Sequence, residues 1–358
     1  MHLVVFSICK DEGDTIGELL DRIPNEIEGI ETIRKLVLSD GSSDDTVVTA
    51  LRHGAEVVDG KTQRRLAYRF QQAVDIVLKM GADMAVNIDG DLQFDPEQIP
   101  ELVRPILDGE AEFVAADRFT DPTTGKRERP ANMPLAKYVS NRVGTRIVGG
   151  LSGQQFADVT CGFRAYSRRA LLNININSPY TYTQESFQVL AQRGLSIASV
   201  PTRVTYYPGR KSRVVTSFFG FLASSAVNIT RAYRDFSPGQ FFGVLGALFF
   251  VPGSLATGMV AQHWVRHGVT TPYTSLGLIG VYVTTVAIVI WLLGLVADMN
   301  KRTLATLEKN LYHIKELRYS EAMLGSETPE PYAHTPAGVT VEDGTKEFVE
   351  RRQPTGGG

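Results

Sequence analysis

Short apolar runs alternate with amphipathic stretches over residues 1–213, and each apolar run ends in polar or acidic residues. The runs have the length and composition of buried strands, and the stretches between them have the apolar spacing of helices. The predicted strands lie at about residues 2–8, 35–38, 55–58, 83–89, 112–116 and 197–207, and residues 158–166 are predicted to be a loop that leads into a further strand. This regular alternation predicts an α/β fold with a mostly parallel sheet that is covered by helices on both faces.

Two later stretches, residues 241–261 and 272–297, contain no charged side chain. Each is long enough to cross a bilayer as a helix, which takes about 20 apolar residues. A buried helical hairpin in a soluble core is the alternative, and the length of both runs argues against it. The pattern therefore predicts an integral membrane protein with two spans.

The basic residues around these two runs predict how they are oriented. The loop between the runs holds a single basic residue among Lys and Arg, Arg266, whereas the outer flanks carry Arg231, Arg234, Lys301, Arg302 and Lys309. Loops rich in Lys and Arg stay on the cytoplasmic side. Both termini and the globular region are therefore expected in the cytoplasm.

The segments around the spans differ in pattern from the globular region. Residues 214–237 are amphipathic and predict a helix at the membrane surface, with a helix packed on the globular domain as the open alternative. Residues 238–298 would form the two spans and residues 299–324 a separate cytoplasmic helix. Residues 325–358 are dominated by Pro, Thr, Glu and Gly, which predicts a disordered tail.

Composition adds little beyond excluding some partners. The chain has 358 residues and a net charge of −2, so nothing indicates a nucleic-acid partner. Its two cysteines, Cys9 and Cys161, fit a reducing compartment and no disulfide framework. Four cations lie close together in the sequence, Lys61, Arg64, Arg65 and Arg69. Most of them are expected on a solvated helix face, and phosphate binding is the alternative.

Candidate chemistry concentrates in Asp89-Gly90-Asp91, directly after a predicted buried strand. On an extended backbone, side chains two positions apart point the same way, so the two carboxylates would converge. Gly90 leaves room for a ligand to approach the backbone. Like charges held close together favour a hard cation between them, Mg²⁺ or Mn²⁺. A solvated acidic turn is the alternative for a motif this short.

Four segments in this order resemble the inverting family-two glycosyltransferases, whose fold is called GT-A: residues 40–44 (Asp-Gly-Ser-Ser-Asp), 89–93 (Asp-Gly-Asp-Leu-Gln), 158–164 (Asp-Val-Thr-Cys-Gly-Phe-Arg) and 209–213 (Gly-Arg-Lys-Ser-Arg). Within that family the chain resembles the polyprenyl-phosphate glycosyltransferases, of which dolichyl-phosphate mannose synthase is the best-known type. The resemblance implies a GT-A catalytic domain over residues 1–213, followed by a transmembrane hairpin. It also implies transfer from a UDP- or GDP-sugar to a membrane polyprenyl phosphate.

The resemblance also implies roles for individual residues on the donor side. Asp89 and Asp91 would hold the metal on the donor diphosphate, with Gln93 as a third ligand. The remaining residues expected to border the nucleotide sugar are Glu12, Asp40, Gly90, Ser212 and Arg213. The first loop reads Ile8-Cys9-Lys10-Asp11-Glu12 and departs from the family's usual Pro-x-Tyr-Asn-Glu, which leaves the base and the sugar open.

On the acceptor side, the resemblance implies that Arg118, Lys137 and Ser140 hold the acceptor phosphate. Asp158 would lie near the reacting centre, and three roles remain open for it: a general base, an orienting group, or a structural loop cap. The implied catalytic set is Asp91, Arg118 and Asp158. For Arg164 a buried ion pair and a role in the site are equally compatible with the motif.

Two other functions remain open from the sequence. One is a membrane glycosyltransferase that acts on a hydroxyl of a lipid-linked sugar or polysaccharide, which would need a true base. The other is a membrane protein that binds nucleotide sugars without catalysis, which the intact acidic pair argues against. The sequence also leaves a homo-oligomer open.

Overall fold

A computed structural model of the chain describes residues 1–176, 182–206, 230, 233–234 and 237–324. Its centre is a seven-stranded sheet with the strand order β3-β2-β1-β4-β6-β5-β7. The strands are β1 His2–Cys9, β2 Thr32–Asp40, β3 Glu56–Gly60, β4 Met84–Asn87, β5 Phe113–Asp117, β6 Arg164–Ser167 and β7 Ile197–Pro201. The predicted mostly parallel sheet is confirmed, since β6 alone runs antiparallel to its neighbours among these strands.

Helices cover both faces of this sheet, as the sequence pattern predicts. They are α1 Gly13–Arg22, α2 Thr46–Arg52, α3 Leu66–Lys79, α4 Ile99–Leu107, α5 Leu135–Ser152, α6 Arg168–Asn173, α7 Thr183–Gln192, α8 Pro238–His267 and α9 Thr274–Leu324. Alternate residues of β1 point to opposite faces: Leu3 and Val5 pack with α1, α2 and α4, whereas Val4 and Phe6 pack with α3, α6 and α7. Burial of both faces explains why the strands read as continuous apolar runs.

The antiparallel strand β6 decides what meets at the edge of the sheet. β6 lies between β4 and β5, and Arg164 at its start pairs with Asn87 and Ala115 near their C-terminal ends. The loop that enters β6, residues 158–163, therefore lies at the edge where the parallel strands end. In open α/β sheets this edge is where ligands bind.

Some predicted boundaries are wrong. The strand predicted over residues 83–89 ends at Asn87, so Ile88 and Asp89 lie outside it. The strand predicted over residues 197–207 ends at Pro201, so the described residues 202–206 also lie outside a strand. The helix predicted as a separate element over residues 299–324 is the continuation of the second apolar helix, α9. Ser212, Arg213, the segment 214–229 and the tail after Leu324 lie outside the described residues.

The helices α8 and α9 are each long and apolar enough to cross a membrane. They pack against each other through small residues: a Cβ atom added to Gly253 would lie 2.9 Å from the backbone nitrogen of Thr284, and one on Gly280 would lie 2.8 Å from that of Thr257. Close backbone approach at small residues is typical of helix pairs in membranes. Large apolar side chains elsewhere on both helices are exposed, which a lipid environment would cover.

Candidate active site

The acidic motif lies on a turn that follows β4, and not on extended strand as the sequence pattern suggests. Helix α1, the turn itself and the segment after β7 hold this turn in place. The hydroxyl of Thr15 donates to the carbonyl of Gly90 at 2.7 Å, and the backbone N–H of Gln93 donates to Oδ1 of Asp91 at 3.1 Å. The carbonyl of Gln93 accepts from the N–H of Thr205 at 2.9 Å. These hydrogen bonds fix the position of the turn at the edge of the sheet.

The two carboxylates are close enough to influence each other. Burial, and then the charge of Asp91, raise the pKa of Asp89 to about 6, while Arg118 and Arg164 act in the opposite direction. The glycines around Asp89 leave no room for side chains. A Cβ atom on Gly162 would lie 2.6 Å from Oδ2 of Asp89, and one on Gly90 would lie 2.6 Å from Sγ of Cys9. Asp89 is therefore tightly packed and buried, with the like charge of Asp91 close enough to raise its pKa.

Such a pair fits a divalent cation that takes few protein ligands. In the part of the chain that the structure describes, no group of three or more His, Cys, Asp or Glu side chains could hold a metal ion. A structural metal site would need such a group, whereas Mg²⁺ is commonly held by one or two carboxylates together with substrate phosphates. Asp89 and Asp91 match the second kind of site, because a cation would relieve their repulsion.

Next to the acids, Arg118 and Asp158 form a buried, two-pronged ion pair. Nε and Nη2 of Arg118 donate to the two oxygens of Asp158 at 2.6 and 3.0 Å. Nη2 also donates to the hydroxyl of Thr160 at 2.6 Å, and Nη1 donates to the hydroxyl of Tyr206 at 3.2 Å. The side chains of Arg118 and Asp158 are 7% and 0% exposed. Arg118 is therefore held in one orientation from three sides.

The electrostatics of Asp158 bear on its role. Burial by itself would raise the pKa of Asp158, but the charge and hydrogen bonds of Arg118 outweigh burial and leave that pKa below its ordinary value. Asp158 also accepts hydrogen bonds from the N–H and the hydroxyl of Thr160, both at 2.9 Å. A carboxylate this well satisfied is a poor proton acceptor. The geometry thus suits an orienting group better than a general base.

A second cation, Lys137 of α5, faces the same space. Its Nζ lies 4.9 Å from the ring centre of Tyr206. Burial, and then the nearby charge of Arg118, lower the pKa of Lys137, whereas Asp91, Asp158 and Asp89 raise it. Ser140, one turn further along α5, donates its hydroxyl to the carbonyl of Lys137 at 3.0 Å. Lys137 and Arg118 are therefore neighbours of each other and of the acids.

The residues expected near the nucleoside lie at the ends of β1 and β2. Asp40 is the last residue of β2, and its Oδ1 accepts from the N–H of Arg64 at 2.7 Å and from Nε of Arg69 at 2.9 Å. Arg69 is only 4% exposed, so the prediction that this side chain lies on a solvated helix face is wrong. The carbonyl of Glu12 accepts a hydrogen bond from the N–H of Ile16 at 2.9 Å, and this bond closes the first turn of α1. The charge of Glu12 also reaches Asp89 and raises its pKa.

Arg164 holds the loop that carries Asp158. It is fully buried, and its guanidinium donates to the carbonyls of Cys161 and Val159 at 2.7 and 3.1 Å and to the hydroxyl of Ser186 at 2.7 Å. The buried ion pair considered for Arg164 is not found among the described residues. Its contribution is to fix the loop at residues 159–161.

The structure thus brings together most of the candidate site residues. Asp89, Asp91, Arg118, Lys137 and Asp158 interact directly or through their charges. Sequence reasoning missed Thr160 and Tyr206, which position Arg118. Thr160 lies inside the motif at residues 158–164, and Tyr206 lies three residues before the basic segment at residues 209–213, so both positions were within or close to motifs that the sequence indicated.

Comparison with known proteins adds a family and a set of relatives. Residues 4–174 match the sequence profile described as Glycosyl transferase family 2. The chain is similar to Glycosyltransferase AglJ of Haloferax volcanii, with 28% identity over 73% of this chain and 81% of that protein. It is similar to a UDP-N-acetylglucosamine--dolichyl-phosphate N-acetylglucosaminyltransferase of Methanococcus voltae, with 31% identity over 40% of this chain and 56% of that protein. An undecaprenyl-phosphate mannosyltransferase of Micrococcus luteus is 25% identical over 61% of this chain and 86% of its own length.

The fold also matches a solved structure. Glucosyl-3-phosphoglycerate synthase from Mycobacterium tuberculosis, in complex with Mg²⁺ and uridine diphosphate, superimposes with a TM-score of 0.50 at 20% identity, over 66% of this chain and 79% of that one. A likeness at this level of identity concerns the fold. The expected GT-A fold is thereby confirmed.

Proposed function

Residues 4–174 belong to glycosyl transferase family 2, and on this premise we propose that the chain transfers a sugar from a nucleoside diphosphate to a membrane polyprenyl phosphate. The observation that carries the proposal is the adjacency of two carboxylates, Asp89 and Asp91, to two cations, Arg118 and Lys137. The acids suit a metal-bound donor diphosphate, and the cations suit a second anion. Relatives named for dolichyl-phosphate and undecaprenyl-phosphate substrates support this acceptor class.

On the donor side, Asp89 and Asp91 would hold a Mg²⁺ or Mn²⁺ ion, with Gln93 as a third ligand. When bound, the ion neutralises the charge that develops on the departing nucleoside diphosphate. Glucosyl-3-phosphoglycerate synthase, which shares the fold, has been solved with Mg²⁺ and uridine diphosphate and with Mn²⁺ and UDP-glucose, which supports the same arrangement here. The residues proposed to border the nucleotide are Glu12, Asp40, Gly90, Ser212 and Arg213.

On the acceptor side, a phosphate is already ionised at neutral pH and needs little help from a base. Arg118 and Lys137 would bind it and orient one oxygen toward the anomeric carbon, with Ser140 nearby on α5. Asp158 would act by holding Arg118, because its own lowered pKa makes it a weak base. The reaction is then a single displacement with inversion, in which positioning and charge stabilisation carry most of the rate.

A lipid-borne acceptor also agrees with the surface of α5. Three residues spaced four apart on this helix, Leu135, Val139 and Val143, are 63%, 50% and 45% exposed. Lys137 lies on the same helix but on another face, because residues two positions apart do not face each other, so the stripe would meet the bilayer beside the proposed phosphate site rather than line it. The charge distribution around α8 and α9 supports a cytoplasmic location for the catalytic domain and both termini.

The proposal is tested by sugar transfer in liposomes that contain purified protein and a polyprenyl phosphate. A panel of UDP- and GDP-sugars with Mg²⁺ or Mn²⁺ identifies the donor, and EDTA and Asp91→Asn serve as controls. We expect a metal-dependent lipid-phosphate sugar from one donor. Donor hydrolysis without a lipid product would point to a hydroxyl acceptor. A folded protein that turns over none of the donors would contradict the proposal that the chain is a glycosyltransferase.

A further inference from the structure

The second apolar helix does not end at the expected membrane surface. α9 runs from Thr274 to Leu324, and the segment from Leu295 to Leu324 contains neither Gly nor Pro. A helix without these residues has no built-in hinge. The apolar part of α9 is therefore continuous with a cytoplasmic part of about 26 residues, or about 39 Å at 1.5 Å per residue.

The cytoplasmic part of α9 docks on the catalytic domain along one face. Glu308 forms an ion pair of 2.6 Å with Arg193 at the end of α7, and Nζ of Lys315 donates to the carbonyl of Ile174 at 2.8 Å. Tyr319 is 3% exposed within the core cluster of α3, α6 and α7. Its carbonyl accepts from Nη2 of Arg168 at 2.8 Å. Residues 308, 315 and 319 are seven and four apart, as a single helix face requires.

These contacts lie at the edge of the sheet opposite to the candidate active site. Arg168, which holds Tyr319, also donates to the carbonyl of Ala82, two residues before β4 begins. Arg193 stands four residues before β7. The acidic turn, in contrast, follows the C-terminal end of β4. Among the residues that the structure describes, the contacts of α9 with the catalytic domain thus involve none of those proposed to bind donor or acceptor.

We propose that the docked part of α9 is a rigid strut that fixes the height and tilt of the catalytic domain over the bilayer, with Glu308 and Arg193 as positioning residues. The inference rests on the proposed function, because a strut of this kind matters for an acceptor that cannot leave the membrane. A water-soluble acceptor reaches the same site by diffusion and has no need of the strut. Dependence on α9 should therefore differ between the two kinds of acceptor.

The test compares full-length polyprenyl phosphate in proteoliposomes with a short-chain, water-soluble prenyl phosphate. Arg193→Glu and Glu308→Arg each place like charges at the docking contact, and the double variant restores an opposite pair. Lys309→Glu is the matched control, because this neighbouring residue is exposed. Loss of the contact should loosen docking without unfolding the domain, since the two side chains are 20% and 25% exposed.

We expect each single reversal to lower kcat/KM for the membrane acceptor by about fivefold, the scale of a coupling near 1 kcal/mol. For the soluble acceptor, kcat/KM of each single variant should stay within about twofold of the wild-type value. The double variant and Lys309→Glu should stay within about twofold of the wild type on both acceptors. An equal loss on both acceptors, no loss on either, or no recovery in the double variant would overturn the proposal.

A distance measurement keeps the strut testable even if the wild-type protein uses neither acceptor, an outcome that would contradict the proposed function alone. Spin labels are placed on Met299→Cys and Glu110→Cys, both exposed, while Cys9 and Cys161 are buried and stay unlabelled. A strut predicts a narrow distance distribution that broadens in Arg193→Glu and narrows again in the double variant. The same distribution in all three proteins would overturn it.

Discussion

Asp89 connects metal binding to pH through its raised pKa. The folded protein holds the pKa of this carboxyl at about 6, against an ordinary value of 3.8, chiefly because it is buried and then because Asp91 is close. Below about pH 6 a proton therefore competes with a divalent cation for the site. The stability of the metal-free protein changes in the opposite direction with pH. Because the folded pKa of Asp89 is raised, this group lowers the free energy of unfolding as pH rises from 3.8 to about 6.

We expect the affinity for Mn²⁺ to rise with pH up to about pH 6, by at most about tenfold per unit, and then to level off. Titrating the purified protein with Mn²⁺ at each pH, with free Mn²⁺ monitored by electron paramagnetic resonance, measures this affinity. Asp91→Asn should weaken binding at every pH and leave the thermal unfolding temperature in EDTA unchanged or higher, because a repulsion is removed. Equal wild-type affinities at about pH 5 and about pH 7 would contradict the assignment.

The pair of Arg118 and Asp158 is the second feature at the scale of residues. Replacing Asp158 by Asn leaves Arg118 charged and buried, which costs about 3 kcal/mol of unfolding free energy. Because the folded pKa of Asp158 is lowered, this stability is present above its ordinary pKa and is lost as pH falls through the folded pKa. Urea unfolding at neutral pH measures the difference.

Asp108→Asn provides a matched control for this measurement. Asp108 pairs with Arg104 at 2.9 Å on the surface, where the side chains are 41% and 55% exposed, so its loss should change stability by at most about 1 kcal/mol. Equal effects of the two substitutions would show that burial does not strengthen the pair. Kinetically, Asp158→Asn should raise KM for the acceptor, whereas a loss of kcat by about 100-fold or more with KM unchanged would instead indicate a general base.

At the scale of elements, the insertion of β6 creates the site. Because β6 is antiparallel, its entry loop reaches the edge at which β4 and β5 end, and this brings Asp158 beside Arg118. Arg164 at the start of β6 then holds the loop through its carbonyls. A parallel strand in this place would put the same loop at the opposite edge.

The apolar hairpin offers a test at the same scale. A side chain on Gly253 would meet the backbone of α9, whereas a Cβ atom on Gly258 has no heavy atom within 4 Å. Gly253→Val should therefore separate α8 from α9, and Gly258→Val should not. Disulfide cross-linking between cysteines introduced along the two helices reports their proximity. Equal cross-linking in both variants would contradict the close packing at Gly253.

At the scale of the whole molecule, the chain combines a catalytic domain with an apolar hairpin whose turn lies at the far end. We expect that turn on the opposite side of the membrane from the catalytic domain. A membrane-impermeant thiol reagent should label Val269→Cys from one side and Glu110→Cys from the other, because both positions are exposed and the native cysteines are buried. Labelling of both from the same side would exclude this topology.

The sequence by itself determined the features that depend on short stretches of chain. Periodicity identified six strand regions, the motif at residues 158–166 was expected to lead into the seventh, and the uncharged runs identified the two long apolar helices. Motif order pointed to the acidic turn and to the loop before β6. These features are local, because strand and helix patterns and the residues of a turn are set by neighbours within a few positions.

Only the tertiary structure decided which distant residues meet. Arg118 binds Asp158 across 40 positions and Tyr206 across 88, and Arg193 binds Glu308 across 115. Charge alone does not select such partners, since many cations and acids in the chain are available to each other. Strand order, the direction of β6 and the docking of α9 select them, because burial of both sheet faces permits few arrangements of the chain.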